Sequence, residues 1–153
     1  MEPSAHKPSS AHQEPAAQVK PLPKVGVIAV VWHQQRVLLV KRKHSPHAGH
    51  WGFPGGKLEW GETMAHGAGR ELLEETGVHA EMSVPFACYD VLANDEHDQL
   101  AHHYVMVAVG GRYQSGTPQA ADDAEAVDWF SPEDLPSPLC PDLQDIIERS
   151  RQP

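Results

Sequence analysis

Gly55 to Val78 reads GGKLEWGETMAHGAGRELLEETGV. A glycine pair opens a short polar loop, and a helix-forming stretch carrying Arg70, Glu71, Glu74 and Glu75 follows it. Thr63 is a suitable N-cap, and Gly77 is placed to end the helix in the left-handed conformation. At ~100° per residue, positions 71, 74 and 75 share one face. Three like charges so close together repel, and Arg70 offsets only part of that repulsion. The pattern therefore suits a hard divalent cation, which takes carboxylate, carbonyl and water oxygens. Ala65, Ala68 or Gly69, Leu72 and Thr76 lie away from the acids and are expected to meet a sheet. Gly67 and Gly69 each cost about 1 kcal/mol relative to alanine in a helix. They either allow close backbone approach or fray the first turns.

Upstream, Val25 to Trp32 (VGVIAVVW) is an apolar run suited to a strand buried on both faces. The polar triplet His33-Gln34-Gln35 separates it from RVLLVKR (36–42), and the two predict a hairpin. KHSPHAGH (43–50) reads as a loop, and Trp51-Gly52-Phe53 as a short strand. Downstream, 80–91 is strand material interrupted by Pro85, 94–99 is an acidic loop, and 102–109 (HHYVMVAV) is a strand. Residues 110–123 read as a loop and 124–130 (AEAVDWF) as a strand. Residues 131–135 suggest a helical turn, and 142–151 a C-terminal helix with Leu143, Ile146 and Ile147 at helical spacing. Residues 1–24, rich in Pro, Ser, Ala and His, read as a flexible tail before a single domain over 25–153. Strands on both sides of one central helix, closed by another helix, predict an α/β sandwich with a mixed sheet.

The 153 residues suit one domain with a sizeable core, and 40% hydrophobic with 22% charged residues is ordinary for a soluble chain. A net charge of −9 argues against coating a nucleic acid polymer. Two cysteines without CxxC spacing suit a reduced, cytoplasmic setting. The longest apolar run is too short to span a membrane.

The spacing Gly56, five residues, Glu62, seven residues, then Arg70-Glu71-Leu72-x-Glu74-Glu75-x-Gly77-Val78 resembles the Nudix box (56–78) at every specified position. The resemblance implies an α/β/α sandwich around a mixed sheet. It also implies hydrolysis of a pyrophosphate bond in a nucleoside diphosphate derivative with Mg²⁺ or Mn²⁺. On this resemblance Glu71, Glu74 and Glu75 are metal ligands, the Gly55 carbonyl is a backbone ligand, Arg70 orients the carboxylates and Glu62 is a structural partner. Lys57 occupies the place of a lysine proposed to assist the leaving group. Bound cations neutralise phosphate oxygens and acidify water, and either Glu71 or Glu75 can take that water's proton. Asp123 and Glu125 stand as equal candidates for a further ligand, with Asp122 beside them.

Substrate contacts are sought outside the box, at Arg42, Phe53 and Tyr104, and Trp51 is weighed as a stacking residue. His44, His47 and His50 suggest a zinc cluster less than they suggest a surface loop. Asn94 stands where an ADP-ribose subgroup carries proline, and Tyr89 comes too early for the tyrosine of the dinucleoside polyphosphate subgroup. What remains resembles the small MutT-like enzymes, implying cleavage of a (d)NTP to NMP and pyrophosphate. ADP-ribose or another nucleotide sugar is the alternative, and a non-catalytic nucleotide-sensing domain the more distant one. Monomer and homodimer both stay open.

Overall fold

The apolar run at the start of the domain becomes the centre of a sheet, because its side chains alternate between two cores. In a computed structural model, residues 20–151 are described. The tail expected over 1–24 therefore falls largely outside the described residues. In chain order the strands and helices are β1 (Lys24–His33), β2 (Arg36–Arg42), β3 (Trp51–Gly52), β4 (Gly55–Lys57), α1 (Met64–Thr76), β5 (His79–Asn94), β6 (Leu100–Ser115), β7 (Ala124–Phe130) and α2 (Leu143–Ser150). The sheet has seven strands in the order β3-β2-β1-β6-β5, with β4 added to β1 and β7 to β2.

Val27, Ala29 and Val31 point to one face, where Ala68 and Leu72 of α1 and Val109 of β6 close the core. Ile28 and Val30 point to the other, against Leu143, Ile146 and Ile147 of α2. The period-two alternation of β1 thus makes an α/β/α sandwich, with apolar burial on both faces as its main driving force. The hairpin between β1 and β2 forms as expected, with Trp32 opposite Val37 and His33 opposite Arg36. Gln34 and Gln35 turn the chain with φ of 50° and 64°, the paired left-handed residues of a tight two-residue loop. β1 pairs in parallel with β6, from Lys24 opposite Tyr104 to Trp32 opposite Arg112, and the other pairings are antiparallel.

The caps of α1 follow the sequence. The Thr63 side chain accepts from the His66 N–H at 3.1 Å, and Gly77, at φ 73°, donates its N–H to Leu73. Three expectations change. Residues 110–115 are not loop: β6 continues through them to Ser115. A β-carbon at Gly111 would meet the Met82 sulfur at 2.7 Å, so the bare backbone admits the β5 side chain while pairing with β1 and β5. Residues 131–135 form only a turn, closed by Asp134 N–H to the Ser131 carbonyl at 2.9 Å. Pro85 does not end its strand. It lies at a register shift in β5, the edge strand, where a missing N–H is tolerated.

The adjacent leucines of α1 separate packing from propensity, because Leu72 is fully buried and Leu73 is 42% exposed. Leu72→Ala should cost about 2–5 kcal/mol in urea unfolding, and Leu73→Ala about 0.5 kcal/mol. Equal losses would show that α1 does not pack through the Leu72 face.

Candidate active site

The α1 acids do not share one environment. Glu74 lies on the exposed edge, with 46% of its side chain accessible, whereas Glu75 is only 5% exposed. The turn from residue 54 into β4 brings backbone to both inner acids. Gly55 donates its N–H to Glu75 Oε2 at 3.3 Å. A β-carbon on Gly56 would approach the Glu71 carboxylate to 2.5 Å, so only glycine leaves that carboxylate room.

Arg70 is held mainly by Glu62. Its Nε and Nη2 donate to the two Glu62 oxygens at 3.0 and 2.7 Å, a bidentate pair. Nη2 also donates to the Lys57 carbonyl at 3.1 Å. Nη1 reaches Glu71 at 2.9 Å and Glu74 at 3.4 Å. The hydrogen bonds from Arg70 hold the Glu62 carboxyl down at about 2, and those from Glu62 hold Arg70 protonated well above its ordinary range. Gly67 makes room for this clasp: a β-carbon there would meet Glu62 Oε1 at 2.8 Å. The helical glycine therefore permits close approach of the preceding loop. Gly69 faces Met82 of β5 instead.

With Arg70 so committed, the inner acids are under-neutralised. Burial pushes the Glu71 carboxyl up, against the Arg70 hydrogen bond that pulls it down. Glu75 rises to about 8, first from burial and then from the charges of Glu71 and Asp123. Asp123 reaches this site through the turn before β7. Ala121 N–H donates to the Glu75 carbonyl at 3.0 Å, and Lys43 N–H to the Asp123 carbonyl at 3.1 Å. The Asp123 carboxylate lies 3.4 Å from His44 Nε2. Glu125, on β7, is exposed and outside the cavity lining. Among the described residues no three His, Cys, Asp or Glu side chains form a closed ligand cluster. The acids share one cavity without converging on a point.

That cavity is about 1000 Å³ and runs from Glu71, Glu74, Glu75, Arg70 and Lys57 to an apolar end under α2. Arg42, Phe53 and Tyr104 all border it. Phe53 also belongs to the α2-side core. Trp51 instead packs edge-on against Phe130 at 5.0 Å. Tyr89 and Asp142 border the apolar end and were not expected there. Alternation along β5 places Tyr89 on the α2 face, with its hydroxyl pushed up by burial. Asp142 precedes α2 at φ 70° without a capping bond from its side chain, which leaves its carboxylate for the cavity. An acid just before a C-terminal helix was the available signal.

Known proteins resemble this chain over the same span. The NUDIX domain family model matches residues 21–150. An ADP-ribose pyrophosphatase of Methanocaldococcus jannaschii is 30% identical over 130 residues, covering 82% of this chain and 72% of that protein. An oxidized purine nucleoside triphosphate hydrolase of Mus musculus is 32% identical over 118 residues, covering 75% and 71%. The crystal structure of a MutT NUDIX hydrolase from Burkholderia pseudomallei superposes with a TM-score of 0.74 at 33% identity, covering 84% of this chain and 98% of that one. Glycine loop, arginine clasp and acidic helix occur here within a domain matched along nearly its whole described length, and the chain belongs to the Nudix hydrolases, pyrophosphohydrolases of nucleotide derivatives.

Proposed function

We propose that this chain cleaves a nucleoside triphosphate, (d)NTP, to the monophosphate and pyrophosphate with Mg²⁺, or Mn²⁺ in its place. The observation that carries this reading is Glu75: a carboxylate buried beside Glu71 and Asp123, with one backbone N–H for a partner, at the end of a nucleotide-sized cavity. Such a group needs a cation when ionised. The inner acids and the Gly55 carbonyl offer oxygen donors, which fits Mg²⁺, and the His44 imidazole lies against Asp123 at 3.4 Å. Glu71, Glu74 and Glu75 would hold it with the Gly55 carbonyl. Asp123 is the better fifth donor, since it shares the cavity and Glu125 does not. The bound cation would supply charge neutralisation and an acidified water.

The chain's own residues do the rest. Arg70 fixes the carboxylates on α1, and Glu71 or Glu75 accepts the water's proton. Lys57, exposed at the cavity edge, faces the leaving group. Phe53 and Tyr104 offer apolar surface to the nucleoside, with Arg42 between the two ends. A second reading, cleavage of ADP-ribose or another nucleotide sugar, is favoured by the name of the Methanocaldococcus jannaschii relative. No helix among the described residues is long and apolar enough to cross a membrane.

A substrate panel with Mg²⁺ separates the readings. Pyrophosphate and NMP from a (d)NTP support the first. AMP with ribose 5-phosphate from ADP-ribose, and no (d)NTP turnover, replaces it with the second. Glu75→Gln should lower kcat about 10²–10⁴-fold at saturating Mg²⁺ while the protein stays folded, and wild-type turnover in that variant would remove Glu75 from the chemistry.

The Glu75 carboxyl also sets a pH dependence. Its folded value of about 8 lies above its ordinary 4.5, so the folded state holds this proton more tightly than the unfolded state. The resulting stability is full below about 4.5 and is lost as pH rises through about 8. In EDTA the melting temperature should therefore fall between pH 6 and pH 9, less steeply in Glu75→Gln. Mg²⁺ should raise it more at pH 9 than at pH 6, because ligation requires the ionised carboxylate. A Mg²⁺ shift that is the same at both pH values would contradict the buried, protonated Glu75.

A further inference from the structure

Residues 43–44, just after β2, and residues 122–123, just before β7, meet at the rim of the cavity. Lys43 N–H donates to the Asp123 carbonyl at 3.1 Å. Lys43 Nζ donates to the Asp122 carbonyl at 2.8 Å. From the other side, Ala121 N–H donates to the Glu75 carbonyl of α1 at 3.0 Å, and Ala124 N–H closes the turn onto the Ala121 carbonyl at 3.0 Å. Asp122 takes φ 51°, a left-handed conformation that aspartate tolerates better than most residues. The backbone of the turn is thus fixed both from α1 and from the loop after β2.

These bonds do not fix the Asp123 side chain, which is 73% exposed and free to choose a rotamer pointing into solvent. His44 supplies the missing contact. Its Nε2 stands 3.4 Å from Asp123 Oδ1, and both residues border the cavity. The His44 side chain is itself 67% exposed, so the pair adds little to stability. What it fixes is the direction of the carboxylate. Arg70 holds Glu71 and Glu74 in this way on α1, but Asp123 is not among its partners. Burial is the main cause that pushes the Glu71 and Glu75 carboxyls up, and the charge of Asp123 adds to it in both. Asp123 is therefore within electrostatic reach of the inner acids. A carboxylate offers two oxygens with about four acceptor positions, so one imidazole leaves room for a cation on the same group.

We propose that His44 is a positioning residue: it directs the Asp123 carboxylate toward the inner acids, so that Asp123 joins Glu71, Glu74 and Glu75 around the divalent cation. This rests on the cation reading above. Metal ligands are ordinarily oriented by partners that do not themselves touch the metal, and losing such a partner lowers metal affinity about 10–100-fold. A contact at 3.4 Å to an exposed carboxylate belongs at the low end of that range.

The test is Mn²⁺ binding to the full chain without nucleotide, read from the electron paramagnetic resonance signal of the free ion. His44→Ala should bind Mn²⁺ about tenfold more weakly than wild type, and Asp123→Asn should lose at least as much. The double variant should match Asp123→Asn alone within about twofold, because His44 acts only through that carboxylate. His44→Gln returns a side-chain N–H donor and should keep most of the affinity. Should His44→Ala melt well below wild type in EDTA, His44→Phe, a ring without a donor, decides in its place with the same loss expected. Equal affinity in wild type and His44→Ala overturns the proposal, as do losses that add in the double variant. Wild-type affinity in Asp123→Asn also overturns it, and a loss in Glu75→Gln in the same assay then leaves the cation reading standing. A wild-type chain that binds no Mn²⁺ removes that reading and this proposal together.

Discussion

The bidentate pair between Arg70 and Glu62 determines the electrostatics of the site. An arginine next to three glutamates would ordinarily neutralise them. Here two of its hydrogen bonds go backwards, to a loop acid outside the α1 cluster. Glu62 is thereby kept ionised, Arg70 is oriented, and Glu71 receives a single hydrogen bond. Glu75 receives none from Arg70 and is left with a backbone amide while buried beside Glu71 and Asp123. The pair is largely shielded from solvent, with the Arg70 side chain 18% and the Glu62 side chain 8% exposed. Its consequence is that the remaining negative charge stays concentrated where a cation can use it.

The sandwich makes this division of charge possible. α1 is pressed onto the sheet through Ala68 and Leu72, so the adjoining helix positions cannot rotate away from β4. Glu75 follows Leu72 by three residues and is carried partly into the same buried zone. Its desolvation is thus a by-product of packing the leucine. The turn at 121–123 is tied to the carbonyl of this same residue, which brings Asp123 to the acids. The loop 43–50 is tied to Arg42, through Gly49 N–H to the Arg42 carbonyl at 2.7 Å, and also to this turn, through Lys43 N–H to the Asp123 carbonyl at 3.1 Å. The two loops are therefore held together at the rim of the cavity.

Much of this was legible in residues 55–78. Thr63 and Gly77 bound the helix by local capping chemistry, and the spacing of Glu62, Arg70 and the glutamates specified the family. The apolar run from Val25 to Trp32 announced a strand covered on both faces. Legibility failed where distant residues decide. Gly110 and Gly111 look like loop until Ser83 and Phe86 are seen against the first and Met82 against the second. The three-residue β4 has no periodicity of its own and exists because β1 offers a free edge there. The burial of Glu75 was invisible, since helical spacing reports which residues share a face but not how deep that face lies. Tyr89 and Asp142 reach the cavity from elements more than fifty residues apart, as 142 − 89 shows, and no local pattern joins them.

The parallel ladder of β1 with β6 also has a kinetic consequence. Lys24 pairs with Tyr104, a separation of 104 − 24 = 80 residues, and the same offset persists to Trp32 and Arg112. Pairings of such long range are slow to close, because the intervening chain loses its freedom before the contacts repay it. The hairpin of β1 with β2 and the helix α1 emerge from a ribosome long before β6 does. Until then one edge of β1 is open, and the apolar face that receives α1 lacks Val109. The acids of α1 are translated early, yet the environment that makes them a site is assembled late. A nascent chain carrying the whole box therefore has the motif without the completed pocket, and its exposed strand edge is the segment most in need of protection during synthesis.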